Sequence, residues 1–181
     1  MRVLLGLIIG LLLWPAFGYI YCRFGYAPVA TAAPPMPLET QLARLALQAR
    51  MAAEAPQRAP IPPDPAHLAA GAQIYVEHCA FCHGLPNQQD VPPAGKGMFP
   101  VPPQLFKPQE MVTHDPVGQT YWKVAHGIRL TGMPAFTQSL SPEQMWQVSV
   151  LVANADKLPE AVNAALQPGA HTPTPPASTK E

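Results

Sequence analysis

Five consecutive residues, Cys79-Ala80-Phe81-Cys82-His83, carry the densest chemistry in this chain of 181 residues. Cys-x-x-Cys-His is the spacing of covalent haem attachment. Two thiols three residues apart share one short helical turn, so each can form a thioether to one vinyl group of the same haem. The histidine then lies under the ring, where one imidazole nitrogen ligates iron. Its other ring nitrogen needs an acceptor that holds the imidazole in place. Two rival chemistries also use paired cysteines. A structural zinc site needs about four ligands, commonly from a second cysteine pair. The one further cysteine here is Cys22, on the far side of an apolar run. A thioredoxin-like redox pair wants a βαβ setting, and no alternating strand pattern is visible. The spacing therefore predicts a single covalent haem c, held by Cys79 and Cys82 and ligated by His83.

The iron's sixth position can be filled by methionine or a second histidine, or left open. Met133 lies in Thr131-Gly132-Met133-Pro134-Ala135-Phe136, in a loop just before the last expected helix. Glycine before it allows close approach, and proline after it stiffens the backbone. Met133 is the expected ligand. Met98, in Gly97-Met98-Phe99-Pro100, is the rival. Met111 and Met145 read as core residues. His126 reads as a surface or loop residue near a helix end, and His67, His78, His114 and His171 as ordinary exposed histidines. With methionine bound, the iron has no free site for substrate and suits single-electron transfer. Were Met133 not a ligand, the alternatives are peroxidase-like chemistry or a haem-based gas or redox sensor.

The elements that must position these residues follow from the prolines, 25 in all. Four lie between Pro28 and Pro37 and twelve between Pro56 and Pro108. Proline fixes φ, removes a donor and disfavours helix in the residue before it, so helices belong in the gaps. Asp64 caps a first helix with Pro65 at its first position; it runs to about Glu77. Asp115-Pro116 opens a second helix in the same way, closed by Gly127. Ser141-Pro142-Glu143-Gln144 opens a third with a capping-box pattern. Between them, Val91 to Pro108 is expected to wrap a haem edge with a preset backbone. The fold class is all-α, with long proline-bearing loops.

Outside this segment, Val3 to Tyr21 is free of charge, and at about 1.5 Å per residue it spans roughly the hydrocarbon layer of a bilayer. Residues 1–26 therefore read as a membrane anchor, or as a signal peptide if Ala30-Thr31-Ala32 is a cleavage site. Tyr21 precedes Cys22 where lipidation wants a small residue, so an unmodified thiol is expected. Residues 27–37 read as a Pro/Ala linker and 38–55 as an amphipathic helix. Its stripe Leu38, Leu42, Leu45 and Ala49 is expected to dock on the chain's own domain. Residues 56–63 read as a second linker, 64–158 as the haem domain, and 159–181 as a Pro-rich tail without fixed structure.

Gly71-Ala72-Gln73-Ile74-Tyr75 before the Cys79–His83 motif, His126-Gly127-Ile128-Arg129 with Gly132-Met133-Pro134-Ala135-Phe136, and Gln144-Met145-Trp146 together resemble class I monohaem cytochrome c. Among such proteins, the sequence is similar to the membrane-anchored haem domain of cbb3-type oxidase subunit III. The resemblance covers about Asp64 to Leu158. It implies a small helical fold around one haem, with Gly71 and Tyr75 crossing Trp146 and Val150 of the last helix. It also implies Met133 as distal ligand and a place for Arg129 near a haem propionate.

Composition limits the partners. Eleven basic and eleven acidic residues give zero net charge, without the basic excess of a nucleic-acid binder. Steering by charge should be modest, and association only weakly salt-dependent. The expected partners are a lipid membrane and redox proteins: a dehydrogenase, a bc1-type complex or a terminal oxidase. Haem c is attached outside the cytoplasm. The expected location is thus the bacterial cytoplasmic membrane, single-pass, with the haem domain on the periplasmic side.

Overall fold

The computed structural model describes residues 1–167. Its elements are all helical, and no strand forms among the described residues, in line with the class expected from sequence. Residues 168–181 of the expected tail lie outside the described residues. The chain divides into two compact units, Met1–Leu45 and Ala46 onward.

In the first unit, helix α1 covers Arg2–Arg23 and none of its residues is buried. It is long and apolar enough to cross a membrane. Phe17, Tyr21 and Tyr26 stack in sequence at its end, with ring centroids 6.4 and 6.1 Å apart. Helix α2, Glu39–Glu54, runs across the boundary between the units.

The second unit is built on α3, Pro65–His78, and α7, Pro142–Ala153. Both helices start where sequence places them, because their caps are local. Asp64 Oδ1 accepts from His67 N–H at 2.9 Å. Ser141 and Gln144 close the reciprocal capping box, at 3.2 and 2.8 Å. The helices cross at Gly71. A Cβ there would overlap the Gln147 carbonyl oxygen and lie 3.1 Å from Leu151 Cβ. Glycine is thus what lets the two backbones approach. Around the crossing, Leu68, Ala72, Tyr75, Val148, Leu151 and Val152 form the core.

The atoms nearest a Cβ on Gly71 belong to Gln147 and Leu151. Trp146 stacks on Tyr121, centroids 4.1 Å apart and nearly parallel, and Tyr75 sets its ring edge-on to Phe106 at 5.0 Å. Tyr121 belongs to α6, Val117–His126. This helix begins one residue later than expected. Asp115 does not cap it, and its carboxylate lies 3.7 Å from Lys123 Nζ. Gly127 ends the helix with φ +65°, as expected of a glycine there.

Two segments taken as peripheral belong to this unit. Helix α8, Glu160–Ala165, occupies the start of the expected tail. It buries Val162 and Leu166 in the core, because those two residues lie one turn apart on one face. The expected spacer 56–63 is packed as well, with Ala59 and Ile61 against the core. The end of α2 docks just before it. Met51 is buried, and Glu54 accepts from Trp122 Nε1 at 3.1 Å. Met51 is not part of the expected stripe, whose Leu42 and Leu45 are 61% and 64% exposed. Beyond Met51 the chain turns to lay Pro56 on α6.

That turn depends on Gly118. A Cβ at 118 would overlap the Pro56 carbonyl oxygen and lie 2.7 Å from its carbonyl carbon. Gly118→Ala is therefore expected to lift residues 51–61 from α6, costing about 1–3 kcal/mol as overpacking does. Limited trypsin digestion would show faster cleavage at Arg58 together with a lower Tm. An unchanged digestion pattern would mean that this segment is not held by the close approach.

Candidate haem-binding site

The proposed attachment residues lie on one turn. Cys79 ends α3 and caps α4, the single turn Ala80–His83. The amides of Cys82 and His83 both donate to Cys79 O, at 3.1 and 2.9 Å, which sets both thiols and the imidazole on one short arc. The chain leaves the turn through Gly84, φ +73°, a conformation that L side chains rarely adopt. Tyr75, with no exposed surface, donates its hydroxyl to Gly84 O at 2.8 Å. Its burial pushes the phenol well above its usual range. Burial, then the neighbouring Cys82, pushes the Cys79 thiol up to about 12, so it is neutral at physiological pH.

His83 has the orientation that ligation needs. Its Nδ1 lies 2.7 Å from the Pro103 carbonyl oxygen. A carbonyl can only accept, so Nδ1 carries the hydrogen and Nε2 keeps its lone pair. Burial lowers the imidazole pKa, opposed in part by the Pro103 hydrogen bond. The requirement for an acceptor was legible in the sequence, but Pro103 was not. Pro103 follows one-turn helix α5, Pro93–Lys96, within the expected wrapping loop. That loop presses close to the cysteine turn: a Cβ on buried Gly95 would sit 2.9 Å from Cys82 O. Gln104, also missed, is 3% exposed. Its amide N–H donates to the Glu110 carboxylate, and its Nε2 is buried with no partner among the described residues.

Met133 sits in a loop that closes on itself. Ile128 N–H donates to Met133 O at 3.1 Å. Thr131 Oγ1 donates to Ile128 O at 2.7 Å and accepts from Met133 N–H at 3.1 Å. Phe136 N–H ties the loop to α6 through Val124 O at 3.0 Å. Met133 is half-buried and packs on the same core as Cys79 and Ala80. Arg129 is exposed at the start of the loop. Met98, the rival thioether, is half-buried and lies against Gly132. The structure thus brings Cys79, Cys82 and His83 together on one turn. It places Met133 on the shared core and Arg129 at the surface of the Met133 loop.

The donor set suits a tethered macrocycle better than a bare ion. Among the described residues, no three His, Cys, Asp or Glu side chains converge to hold a metal ion by themselves. A haem brings four nitrogens of its own, would need axial donors from the protein, and could be tethered by two thiols. His83 with a free Nε2, and the buried donor of Gln104, the residue after Pro103, fit such a group.

The family model for cytochrome c oxidase, cbb3-type, subunit III matches residues 66–151. No curated protein matches the sequence. Among solved structures, a reducing HAO-like protein complex of Kuenenia stuttgartiensis contains a chain similar at 24% identity, with a TM-score of 0.44. That match covers 53% of this chain and 46% of the other, less than half its length.

Proposed function

We propose that this chain, whose residues 66–151 form a class I c-type cytochrome domain, is a membrane-anchored carrier of single electrons with one covalent haem c. The observation that carries this reading is the fixed tautomer of His83, whose Nδ1 is engaged by Pro103 O at 2.7 Å beside the two thiols. A bound haem supplies reversible one-electron exchange at its iron, and methionine ligation raises the potential.

The protein's own residues do the rest. Cys79 and Cys82 tether the ring. Pro103 holds the His83 ring and leaves Nε2 free, so that it would be the nitrogen to ligate a haem iron. The closed loop 128–133 would offer Met133 as the second iron donor, and an iron held by both His83 and Met133 would have no site left for substrate. This favours electron transfer over peroxidase or sensor chemistry. Arg129, exposed on that loop, pairs with a propionate, and Gln104 supplies a donor to a haem acceptor group.

Helix α1, apolar and without a buried residue, anchors the chain in the bacterial cytoplasmic membrane with the haem domain in the periplasm. Its partners are respiratory redox proteins: a dehydrogenase, a bc1-type complex or a terminal oxidase. Zero net charge makes their encounter weakly salt-dependent. The test is the spectrum of the purified full chain. The ferric form should show the weak long-wavelength band of methionine–iron bonding, and the ferrous form should be low-spin and indifferent to carbon monoxide. A high-spin ferrous form that binds carbon monoxide at neutral pH would sink the reading.

A further inference from the structure

The loop from Val91 to Pro108 touches the site at more than its proximal side. Gly95 lies against Cys82 O, and Pro103 O accepts from His83. At a third point the loop reaches the segment that carries Met133. A Cβ on Gly132 would overlap Met98 Sδ and lie 3.0 Å from its Cγ and 3.1 Å from its Cε. The whole end of Met98 therefore fills the space that any side chain at 132 would need. Gly132 immediately precedes Met133.

We propose that Met98 is a positioning residue for Met133: its thioether, seated in the notch left by Gly132, braces the loop and sets how firmly Met133 is held as a ligand. This rests on Met133 being the distal ligand. The hydrogen bonds among Ile128, Thr131 and Met133 fix the inner shape of the loop. They lie within the loop and do not stop it from moving as a body. Met98 adds a contact from outside, on the residue next to the ligand. A flexible, polarizable thioether suits such an irregular gap. The same loop also holds His83 through Pro103, so one segment would steady both axial sides.

The test measures how readily imidazole displaces the native ligand in the ferric full-length protein. Met98→Ala is expected to raise imidazole affinity about tenfold, less than the full cost of truncating a core methionine because Met98 is half-buried, whereas Met98→Leu stays within about twofold of the parent. Gly132→Ala, which would push on Met98, should also raise the affinity. An affinity for Met98→Ala within about twofold of the parent overturns the brace while leaving Met133 as ligand. Should Met98→Ala fail to fold, Gly132→Ala decides alone: no change in affinity overturns the brace. Loss of the ferric methionine band in both Met98→Ala and Met98→Leu would make Met98 itself the ligand, overturning both this proposal and the role of Met133.

Discussion

Met133→Ala is expected to produce a ferrous protein that binds carbon monoxide at neutral pH and a reduction potential well below the parent's. The methyl of alanine cannot reach an iron, and no other change is built in. The bond that closes the loop, Ile128 N–H to Met133 O at 3.1 Å, is made by the backbone and survives the substitution. So does the Thr131 bond to the amide of residue 133. The substitution thus removes the ligand while keeping its support. Thioether ligation raises the potential, so its loss lowers it, by an appreciable share of the roughly 0.8 V that axial ligands command. Carbon monoxide titration and potentiometry read the two effects, with circular dichroism to check that helix content is kept. A folded variant that ignores carbon monoxide and keeps its potential would show that Met133 is not the ligand.

Cys79→Ser combined with Cys82→Ser is expected to abolish covalent haem and with it cooperative folding. The second unit has a helical core around the α3–α7 crossing, but its long segment from Gly84 to Asp115 contains one regular turn, Pro93–Lys96. Those residues pay backbone entropy with little hydrogen bonding in return. At about 25 cal/mol per Å2, a macrocycle burying a few hundred Å2 of apolar surface supplies on the order of 10 kcal/mol, comparable to the whole stability of a small domain. Reduced helical signal and a broad thermal transition are the expected readings. A double variant that keeps parental helix content and a sharp melt would mean that the core of α3, α7 and α8 stands without the tether.

What the sequence determined by itself was whatever depends on near neighbours. The attachment motif spans five residues. The Asp64 cap and the Ser141–Gln144 box each act over three. The left-handed glycine after α6 follows from the end of the helix it terminates. All of these are legible because the bonded partner sits beside the residue that needs it. The helical class is of the same kind, since proline spacing and capping are local.

Contacts between distant segments had to await tertiary structure. Pro103 lies twenty residues from the imidazole it orients, and any backbone carbonyl could have served. Gly118, Gly132 and Gly71 look alike in a sequence. Only their neighbours reveal that Pro56, Met98 and Gln147 occupy the space a side chain would take. Periodicity marked one apolar stripe on α2 but did not single out Met51, the α2 residue that is buried. Residues after Leu158 read as tail because the short helix α8 lacks a strong signal, yet the core has room for Val162 and Leu166. Apolar pattern states which residues avoid water, whereas three-dimensional approach decides which surface covers them.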